Sequence, residues 1–238
     1  MLRSKDTIIF AIATPRGSLS AQKIVALRHT QIPIPSISPS PPRAHPAVPA
    51  RPRELDFTSH PLPMEALDML LSRRSVKRFA PDVLPTHSDL QRIADAGANA
   101  PTGRGRQSPF IVVVTDRTVR DELSRLNAEI LGRDGDPFYG APVVMVVLAD
   151  RAQPTYLYYL YDGSLVMGNL LNAAHALGWG ACWIHRAREI FERPEGKALL
   201  SQWGIDADVE GIGCCVVGQA EHFPSHPQAR KEGYIRFV

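Results

Sequence analysis

The amino-acid sequence predicts an α+β fold, and two patterns lead to this prediction. From residue 64 onward, helical and strand-like segments are mixed, without the regular βαβ order of a doubly wound sheet. No repeat is visible at periods of about 20 to 50 residues, which argues against a solenoid or a propeller. The chain of 238 residues is 44% hydrophobic, so it can form one sizeable core. We expect one folded domain over residues 64–238.

Residues 1–63 differ in composition from the rest of the chain. They hold 11 of the 21 prolines and few apolar side chains, which predicts a disordered or loosely packed extension. A secretory signal is one alternative, but its apolar stretch is short and is bordered by Lys5 and Asp6. A transit peptide is a second, and an artefactual extension ahead of a true start at Met64 is a third. The composition favours the third.

Charge and cysteine content exclude several classes of protein. The formal net charge is +3, but residues 1–63 carry eight Lys/Arg and three Asp/Glu, so the domain itself is slightly acidic. That balance argues against a nucleic-acid binder, which needs a concentrated cationic face. Three cysteines without a CxxC pair predict neither a disulfide framework nor a zinc site, and they fit the reducing cytoplasm. No apolar stretch reaches about 18 residues, so we expect no membrane span.

Three elements are predicted in the first part of the domain. Leu67, Leu70 and Leu71 have the spacing of an amphipathic helix. A second helix over 85–97 begins with Thr86 three residues before Asp89, as in a capping box. Its predicted buried stripe consists of Leu90, Ile93, Ala94 and Gly97. The β-branched run at 110–116 predicts a buried strand.

The second part of the domain continues this mixture. A polar helix at 119–131 and a loop rich in Gly and Asp lead to another buried strand at 142–150. Residues 155–177 predict a long helix whose second half is apolar nearly all round, so we expect it to be buried on most faces, in a core or between subunits. Cys214 and Cys215 are interpreted as packing residues on opposite faces of one strand. The remaining short strands are predicted at 178–184, 210–220 and 234–238.

A basic cluster follows the first helix and is a candidate anion site. It contains Arg73, Arg74, Ser75 and Lys77. We expect the cations on adjacent faces of one helical turn, where guanidinium groups match phosphate oxygens in bidentate geometry. A solvated surface patch is the alternative, and it is the more common role of a run of charge.

Three other segments offer candidate ligand contacts. At 98–110, glycines flank Arg104, so the backbone can approach a flat ligand, and the side chains of Asn99, Thr102 and Gln107 offer hydrogen-bonding groups. At 178–184, small residues flank two tryptophans, so backbone amides can reach a ring system. Near the C-terminal end, Arg230 and Lys231 form a second basic pair. The alternatives are an ordinary turn, core packing and a solvated terminus.

Five linked motifs run along the domain: RRSVKRF, APTGRGRQSPF, GAPVVMVVLAD, DGSLVMGNLLNAAHALGWGACWIHRAREIF, and GIGCCVVG followed by RKEGY. In their order and spacing, from Met64 to Val238, the chain resembles the FMN-dependent nitroreductase family. The resemblance implies a central, mainly antiparallel sheet flanked by helices, in an intertwined homodimer with two FMN molecules at the subunit interface. It also implies reduction by NADH or NADPH in a ping-pong cycle.

The resemblance assigns roles to particular residues. Arg73, Arg74, Ser75 and Lys77 match ligands of the FMN phosphate, ribityl chain and pyrimidine edge. Asn99, Thr102 and Gly103, contributed by the partner subunit, match residues that close over the flavin, and Gln107 belongs to the same motif. Ala181, Cys182 and Trp183 match the loop beside the isoalloxazine ring. Arg230, or Lys231 in its place, matches a basic residue that reaches the phosphate.

One position departs from the family pattern. Relatives often carry Asn two residues before the glutamine of the second motif, whereas this chain has Gly105 before Gln107. A polar contact is missing there, which concerns the orientation of the substrate more than the binding of FMN.

The reaction that the resemblance implies is hydride transfer through the flavin to a nitroaromatic, a quinone or an unsaturated carbonyl compound. The sequence identifies no catalytic acid or base: His185 lies beside an apolar run and is expected to be structural, and His222 and His226 lack a third metal ligand. Two other classes stay open. One is a flavin-binding redox sensor or carrier without NAD(P)H turnover, and the other is a non-redox protein that binds a different phosphorylated ligand.

The expected dimer rests on two segments read beside the family. The small residues of GSLVMGNLLNAAHALG permit close packing of this helix against its symmetry mate. The tail GYIRFV alternates its side chains as a strand does, so it suits addition to a sheet edge. We expect Ile235 and Phe237 to be buried against the other chain.

Overall fold

The computed structural model describes residues 65–152, 158–224 and 228–238, so the extension predicted over residues 1–63 lies outside the described residues. The described helices are α1 (Ala66–Ser72), α2 (His87–Ala98), α3 (Arg117–Leu131), α4 (Tyr158–Ala176), α5 (Ala187–Glu192) and α6 (Pro194–Gln202). The described strands are β1 (Phe79–Ala80), β2 (Pro109–Val114), β3 (Val143–Asp150), β4 (Gly180–Ile184) and β5 (Val209–Ala220).

A five-stranded sheet forms the centre of the domain, and the pairings between its described strands are all antiparallel. The strand order is β1-β5-β3-β2, and β4 also pairs with β5. Alternate residues of β3 face two core clusters: Val144 packs into one and Met145 into the other. Cys214 and Cys215 divide between the same two clusters, which confirms that they pack on opposite faces. The predicted α+β class with a central antiparallel sheet flanked by helices is confirmed.

The start of α2 follows the sequence prediction in part. Thr86 Oγ1 accepts a hydrogen bond from the backbone N–H of Asp89 at 3.1 Å, so the first turn is capped. The Asp89 carboxylate accepts a hydrogen bond from Trp179 Nε1 at 3.2 Å. This contact connects α2 to the residue that precedes β4. Of the predicted stripe, Leu90, Ile93 and Gly97 are buried and Ala94 is half-buried.

Gly97 sets the distance between α2 and its neighbours. A Cβ at this position would lie 2.6 Å from Leu170 Cδ2 of α4 and 2.9 Å from Ile111 Cδ1 of β2. Packed carbon atoms approach to about 3.5 Å, so a larger residue would push these elements apart. The glycine therefore lets α2 rest directly on α4 and β2.

Strand β2 is only partly buried, whereas the sequence predicts a buried strand at 110–116. Among the described strands, β2 lies at the end of the strand order and pairs with β3 alone. Val113 is 38% exposed. A β-branched run does not distinguish a central strand from an edge strand, because both favour these residues. Asp116 then caps α3 by accepting from the N–H of Val119 at 2.9 Å, so the helix begins two residues before its predicted start.

Within this chain, helix α4 is buried on one side only. Its predicted burial on most faces, in a core or between subunits, is therefore not provided by the chain's own core and stays a prediction for a subunit interface. Its buried apolar residues are Val166, Met167, Leu170 and Ala174. On the opposite side, Tyr161 is 65% and Leu165 is 48% exposed. A Cβ on Gly168 would meet no atom within 4 Å. The apolar composition of α4 indicates that a surface is to be covered, but not whether the same chain covers it.

Two elements near the ends of the domain also differ from expectation. Helix α1 forms, but its predicted apolar stripe is exposed: Leu67, Leu70 and Leu71 are 73%, 52% and 73% accessible. The strand predicted at 234–238 is not formed within this chain, where Ile235 and Phe237 are 75% and 97% exposed, so their predicted burial against the other chain stays a prediction. A strand needs a neighbouring strand for its hydrogen bonds, and the tail pairs with none in the described part of this chain.

Candidate functional site

The basic cluster lies on the sheet as an extended segment, which corrects the prediction of one helical turn. α1 ends at Ser72, and Arg73 already has a non-helical backbone with φ −54° and ψ 131°. Val76 donates its N–H to the carbonyl of Ala181 in β4 at 3.0 Å, and Ser75 forms a parallel bridge with the same residue. The segment is therefore attached to β4.

Buried side chains determine which residues of this segment are accessible. Val76 and Phe79 are 1% and 3% exposed, and β1 continues the segment as an antiparallel partner of β5. Because neighbouring residues of an extended chain point to opposite sides, Ser75 and Lys77 are exposed next to the buried Val76. Apolar anchors thus present the hydroxyl and the ammonium group to the outside.

Arg73 and Arg74 lie near His175 in the last turn of α4. Arg74 Nη1 donates to the carbonyls of Leu71 at 2.7 Å and Arg73 at 2.8 Å, and its buried Nε has no partner among the described residues. His175 Nε2 lies 3.0 Å from Ser72 Oγ. Burial lowers the pKa of His175, and the charges of Arg73 and Arg74 lower it further. The guanidinium groups of Arg73 and Arg74 are therefore close enough to act on the His175 ring at this end of α4.

A cleft of about 370 Å³ opens beside the basic segment. One wall is the end of β4 with the turn that follows it, and the other is the loop between α3 and β3. Trp183 stacks on His185 with 5.6 Å between ring centroids, and its buried Nε1 has no hydrogen-bond partner among the described residues. Unpaired buried N–H groups are uncommon in proteins. The lining includes Lys77, Arg133, Tyr139, Cys182, Trp183 and His185.

Cys182 lies in the wall of this cleft as a thiol. Burial raises its pKa, and the hydroxyl of Ser75 together with the charges of Lys77 and Arg73 only partly opposes that effect. The reactive form of cysteine is the thiolate, so the environment disfavours a nucleophilic role. The same contacts place Ser75 and Lys77 next to the wall that Cys182 forms.

Asp136 holds the opposite wall in place. Its carboxylate accepts hydrogen bonds from Arg120 Nη2 at 2.5 Å, Ser124 Oγ at 2.5 Å, the N–H of Phe138 at 2.9 Å and the N–H of Gly140 at 2.7 Å. Burial acts to raise the pKa of Asp136, but the four donors outweigh burial and lower it. Arg120 is buried and also donates to the carbonyl of Ala141 at 2.9 Å. An ionised carboxylate therefore ties the loop to α3.

The second candidate segment, residues 99–107, lies against the first half of α4. Gly103 donates its N–H to Oδ1 of the buried Asp162 at 2.9 Å. Thr102 Oγ1 accepts from the N–H of Gln107 at 3.1 Å, which closes the turn. Thr102 and Gln107 also line a separate pocket of about 390 Å³ between α2 and β2. Asn99 is the C-cap of α2, and its Nδ2 donates to a carbonyl of that helix at 2.8 Å.

The backbone of this segment explains the departure at Gly105. Arg104, Gly105 and Gln107 have φ values of 57°, 65° and 54°, all in the left-handed region. Glycine adopts this region without strain, and asparagine is one of the few other residues that visit it routinely. Gly105 therefore keeps the backbone that an asparagine would adopt and removes only the side-chain amide.

The two candidate segments lie at opposite ends of α4. The basic segment contacts the helix near His175, and residues 99–107 contact it at Asp162, thirteen residues earlier. At about 1.5 Å per residue, this separation is about 20 Å along the helix. Arg73, Arg74, Ser75 and Lys77 thus come together with Ala181, Cys182 and Trp183, whereas Asn99, Thr102, Gly103 and Gln107 of the same chain do not join them.

The C-terminal basic pair is not joined to either segment. Arg230 and Lys231 are exposed, and within residues 65–152, 158–224 and 228–238 neither side chain forms a hydrogen bond or ion pair with the cleft. Their predicted contact with a phosphate stays a prediction.

A family model described as the Nitroreductase family matches residues 70–223, which include α1 from Leu70, the complete sheet and both walls of the cleft. The chain belongs to the nitroreductase family. Curated relatives agree with this membership. A protein of Archaeoglobus fulgidus, named for a proposed NADH dehydrogenase/NAD(P)H nitroreductase activity, is 29% identical over 148 residues, covering 61% of this chain and 79% of the relative. YdjA of Escherichia coli, named for a proposed NAD(P)H nitroreductase activity, is 30% identical over 145 residues, covering 55% and 76%.

Solved nitroreductase structures share the fold. The nitroreductase of Bacteroides fragilis, which was crystallised with bound FMN, superposes with a TM-score of 0.65 at 26% identity, covering 74% of this chain and 99% of the relative. A nitroreductase of Desulfitobacterium hafniense, also with bound FMN, gives a TM-score of 0.65 at 24% identity and the same coverage. At 24% identity, the similarity to this second structure shows the shared fold alone.

Several residues of the candidate site were not predicted from the sequence. His175 and Asp162 mark the two ends at which the candidate segments contact α4, and Asp136 holds one wall of the cleft. A polar residue within an otherwise apolar helix is a signal that could have found the first two. No pattern in the sequence identifies Asp136, because its donors come from α3 and from the loop itself.

Two negative findings apply to the described residues alone. No cluster of three or more His, Cys, Asp or Glu side chains there has the arrangement of a metal site. None of the described helices combines the length and hydrophobicity that a membrane span requires.

Proposed function

We propose that the chain is an FMN-dependent oxidoreductase that transfers hydride from NADH or NADPH through the flavin to a nitroaromatic, a quinone or a related small acceptor, in a ping-pong cycle. Membership of the nitroreductase family and the bound FMN of the Bacteroides fragilis relative support the proposal. The observation that carries it is the basic segment beside the cleft, with a buried Arg74 Nε that lacks a partner among the described residues. A phosphate offers the acceptor oxygens that such donors need.

The donor set around the cleft fits a flavin nucleotide. Arg73 and Arg74 would hold the phosphate, because guanidinium groups match its oxygens in bidentate geometry. Ser75 and Lys77 would meet the ribityl chain and the pyrimidine edge. Cys182 and Trp183 of the cleft wall, with the adjoining Ala181, would lie beside the ring. When bound, FMN supplies the hydride chemistry between nicotinamide and acceptor. The chain would bind and orient both partners and exclude water, and we assign no catalytic acid or base.

The proposed site is shared between two copies of the chain. Asn99, Thr102, Gly103 and Gln107 would come from the partner subunit, because their own chain holds them about 20 Å from the basic segment along α4. Arg230, or Lys231, would reach the phosphate from the C-terminal tail. Each dimer would then have two equivalent sites related by its two-fold axis.

Exposed apolar surface supports this homodimer. Tyr161 and Leu165 flank the open space at Gly168, so a second helix can approach α4 closely there. Leu67 and Leu71 of α1 are each 73% exposed, and the side chain of Phe237 in the tail is almost fully exposed. Large apolar side chains in contiguous exposed patches are typical of subunit interfaces.

A titration with FMN tests the proposed phosphate grip. The purified protein is expected to show flavin absorbance, and Arg73→Ala should weaken FMN binding to the apoprotein about 10- to 150-fold, which corresponds to about 1.5–3 kcal/mol for a charged hydrogen bond. Arg78→Ala is the matched control, because Arg78 is an exposed arginine of the same segment outside the proposed set. Unchanged binding by Arg73→Ala would return the cluster to the role of a solvated surface patch.

Anaerobic reduction tests the enzymatic part of the proposal. NADH or NADPH should bleach the flavin absorbance, and a nitroaromatic or quinone should restore it in a second, separate step. A flavin that neither nucleotide bleaches would favour the alternative of a redox sensor or carrier. A colourless protein that binds no FMN would reject both. Three free, buried cysteines support a cytoplasmic location for this activity.

A further inference from the structure

Asn127 of α3 connects to the turn that ends β4 through two hydrogen bonds. Its side chain has 0% exposure. Nδ2 donates to the carbonyl of His185 at 2.8 Å, and Oδ1 accepts from Arg186 Nε at 3.0 Å. His185 and Arg186 both line the cleft, on the wall that includes Trp183. The fully buried amide of Asn127 therefore contacts two residues of the cleft wall without lining the cleft itself.

The turn that Asn127 holds has an unusual backbone. Arg186 has φ 76° and ψ 11°, in the left-handed region that L-residues other than glycine and asparagine rarely adopt. The same residue is the N-cap of α5, and its carbonyl accepts from the N–H of Ile190 at 3.0 Å. Strained backbone persists where the surrounding structure holds it, and it often accompanies functional sites.

Asn127 forms a hydrogen bond with each of the two residues of this turn, His185 and Arg186. The donor group fixes the carbonyl of His185, and the acceptor group fixes the side chain of Arg186, so the peptide between them has little freedom to rotate. A buried amide without such partners would be costly, and an aliphatic residue of similar size would fill the same space. Packing alone thus does not explain an asparagine here.

We infer that Asn127 is a positioning residue, which holds the His185–Arg186 turn in its left-handed conformation and thereby sets the cleft wall against which the flavin ring is bound. The inference rests on the proposed function for the identity of the ligand. In this role Asn127 does not contact the flavin itself. It stabilises a backbone conformation of the turn that Arg186 does not adopt readily by itself.

A double-mutant cycle tests the inference. Asn127→Leu removes both hydrogen bonds and keeps the volume, and Arg186→Gly removes the need for the clamp, because glycine adopts positive φ without strain. FMN affinity of the apoprotein, the absorbance spectrum of the bound flavin and its reduction potential are measured for the parent, both single variants and the double variant. Thermal unfolding and circular dichroism show whether each variant is folded.

The expected result is a strong coupling between the two positions. Asn127→Leu should weaken FMN binding about tenfold and shift the flavin spectrum, whereas Arg186→Gly should weaken binding less, because glycine adopts the conformation of the turn without the clamp. When Arg186→Gly is already present, Asn127→Leu should have no further effect on affinity or spectrum. If Asn127→Leu does not fold, Asn127→Asp replaces it in both backgrounds, because aspartate keeps the acceptor for Arg186 and loses the donor to His185.

Three outcomes contradict the inference. Parent-like affinity and spectrum in the Asn127 variant would show that the clamp does not set the cleft. An equal loss with and without Arg186→Gly would show that Asn127 acts through packing and not through the turn. A parent chain that binds no FMN would reject the proposed function and this inference together, whereas the first two outcomes, with FMN bound by the parent, reject this inference alone.

Discussion

The two halves of the proposed flavin site differ in how complete they are within one chain. The basic segment is attached to β4, its buried neighbours fix its direction, and a cleft with two formed walls lies beside it. Residues 99–107 have a closed turn and a firm contact with Asp162, yet they face no part of that cleft. The difference teaches that each half is preformed within the chain, and that the two halves are held apart from each other.

Removal of the tail gives the largest expected effect on this arrangement. Deletion of residues 234–238 should weaken the dimer and release FMN together, because a ligand that binds only the assembled form stabilises it by mass action. Light scattering combined with flavin absorbance measures both. A yellow dimer without the tail would contradict the predicted strand exchange, and a yellow monomer would contradict a site shared between subunits.

Complementation between damaged chains would sharpen the comparison further. Chains with Arg73→Ala and Arg74→Ala lose one half of the site, and chains with Gly103→Trp lose the other by obstruction. Neither homodimer should bind FMN, but an equal mixture that exchanges subunits should regain about a quarter of the sites, because each mixed dimer has one intact site. FMN binding after mixing is the measurement. No recovery, in mixtures shown to exchange, would place both halves within one chain.

The loop held by Asp136 belongs to the first half alone, so its disruption should leave the second half unaffected. Asp136→Ala removes four accepted hydrogen bonds and leaves the buried Arg120 with fewer partners. We expect a loss of about 1–3 kcal/mol in the free energy of unfolding, together with weaker FMN binding and, in the absence of FMN, an unchanged dimer. Asp134→Ala, at an exposed residue of the same loop, is the control and should change stability by less than about 0.5 kcal/mol. Equal effects of the two substitutions would contradict the assigned role.

The same carboxylate gives a dependence on pH. Its pKa in the folded protein lies below the ordinary value of 3.8, so the unfolded chain binds the proton more readily. The stability that Asp136 contributes is therefore fully present above that ordinary value and is lost as the pH falls through the lower, folded pKa. Denaturant titrations from neutral to acidic pH should show a smaller loss for Asp136→Ala than for the parent. An identical acid dependence would indicate that other carboxylates determine it.

The smallest expected effect comes from the N-terminal extension. A chain that begins at Met64 should retain the melting temperature, the dimer and the FMN affinity of the full chain, because the prediction assigns residues 1–63 no contact with either half of the site. Calorimetry and flavin titration compare the two chains. A large fall in melting temperature, or loss of flavin, would show that the extension is structural.

Local chemistry determined which elements could be predicted from the sequence. The cap at Thr86, the packing of Cys214 and Cys215, and the central strand β3 depend on neighbouring residues and on hydrophobic runs, and all are confirmed. Failures occur where position in the sheet decides. The run at 110–116 has the composition of a buried strand, but its place at the edge leaves it half-exposed. No element was predicted for residues 187–202, where α5 and α6 form.

The candidate site could be predicted as a set of residues but not as a shape. The motif RRSVKRF identified cations beside a hydroxyl, yet its extended conformation depends on Val76 meeting Ala181, a residue more than a hundred positions away. Asn127 was missed for the same reason, because its partners His185 and Arg186 are distant in sequence. A cluster read along the chain gives the chemistry of a site, and only the tertiary contacts give its geometry.

The contact at Gly97 has a consequence for how the family diversifies. Because a Cβ there would collide with Leu170 and Ile111, three positions in different elements share one small volume. Substitutions at these positions should be correlated among relatives: an alanine at 97 should accompany a smaller residue at 170 or 111, and a glycine should permit the larger pair. Relatives that change the first position alone should shift α2 away from α4. The loop that follows α2, with Asn99 and Thr102, would move with the helix. A substitution remote from any ligand would then change the distance between the two halves of the proposed flavin site.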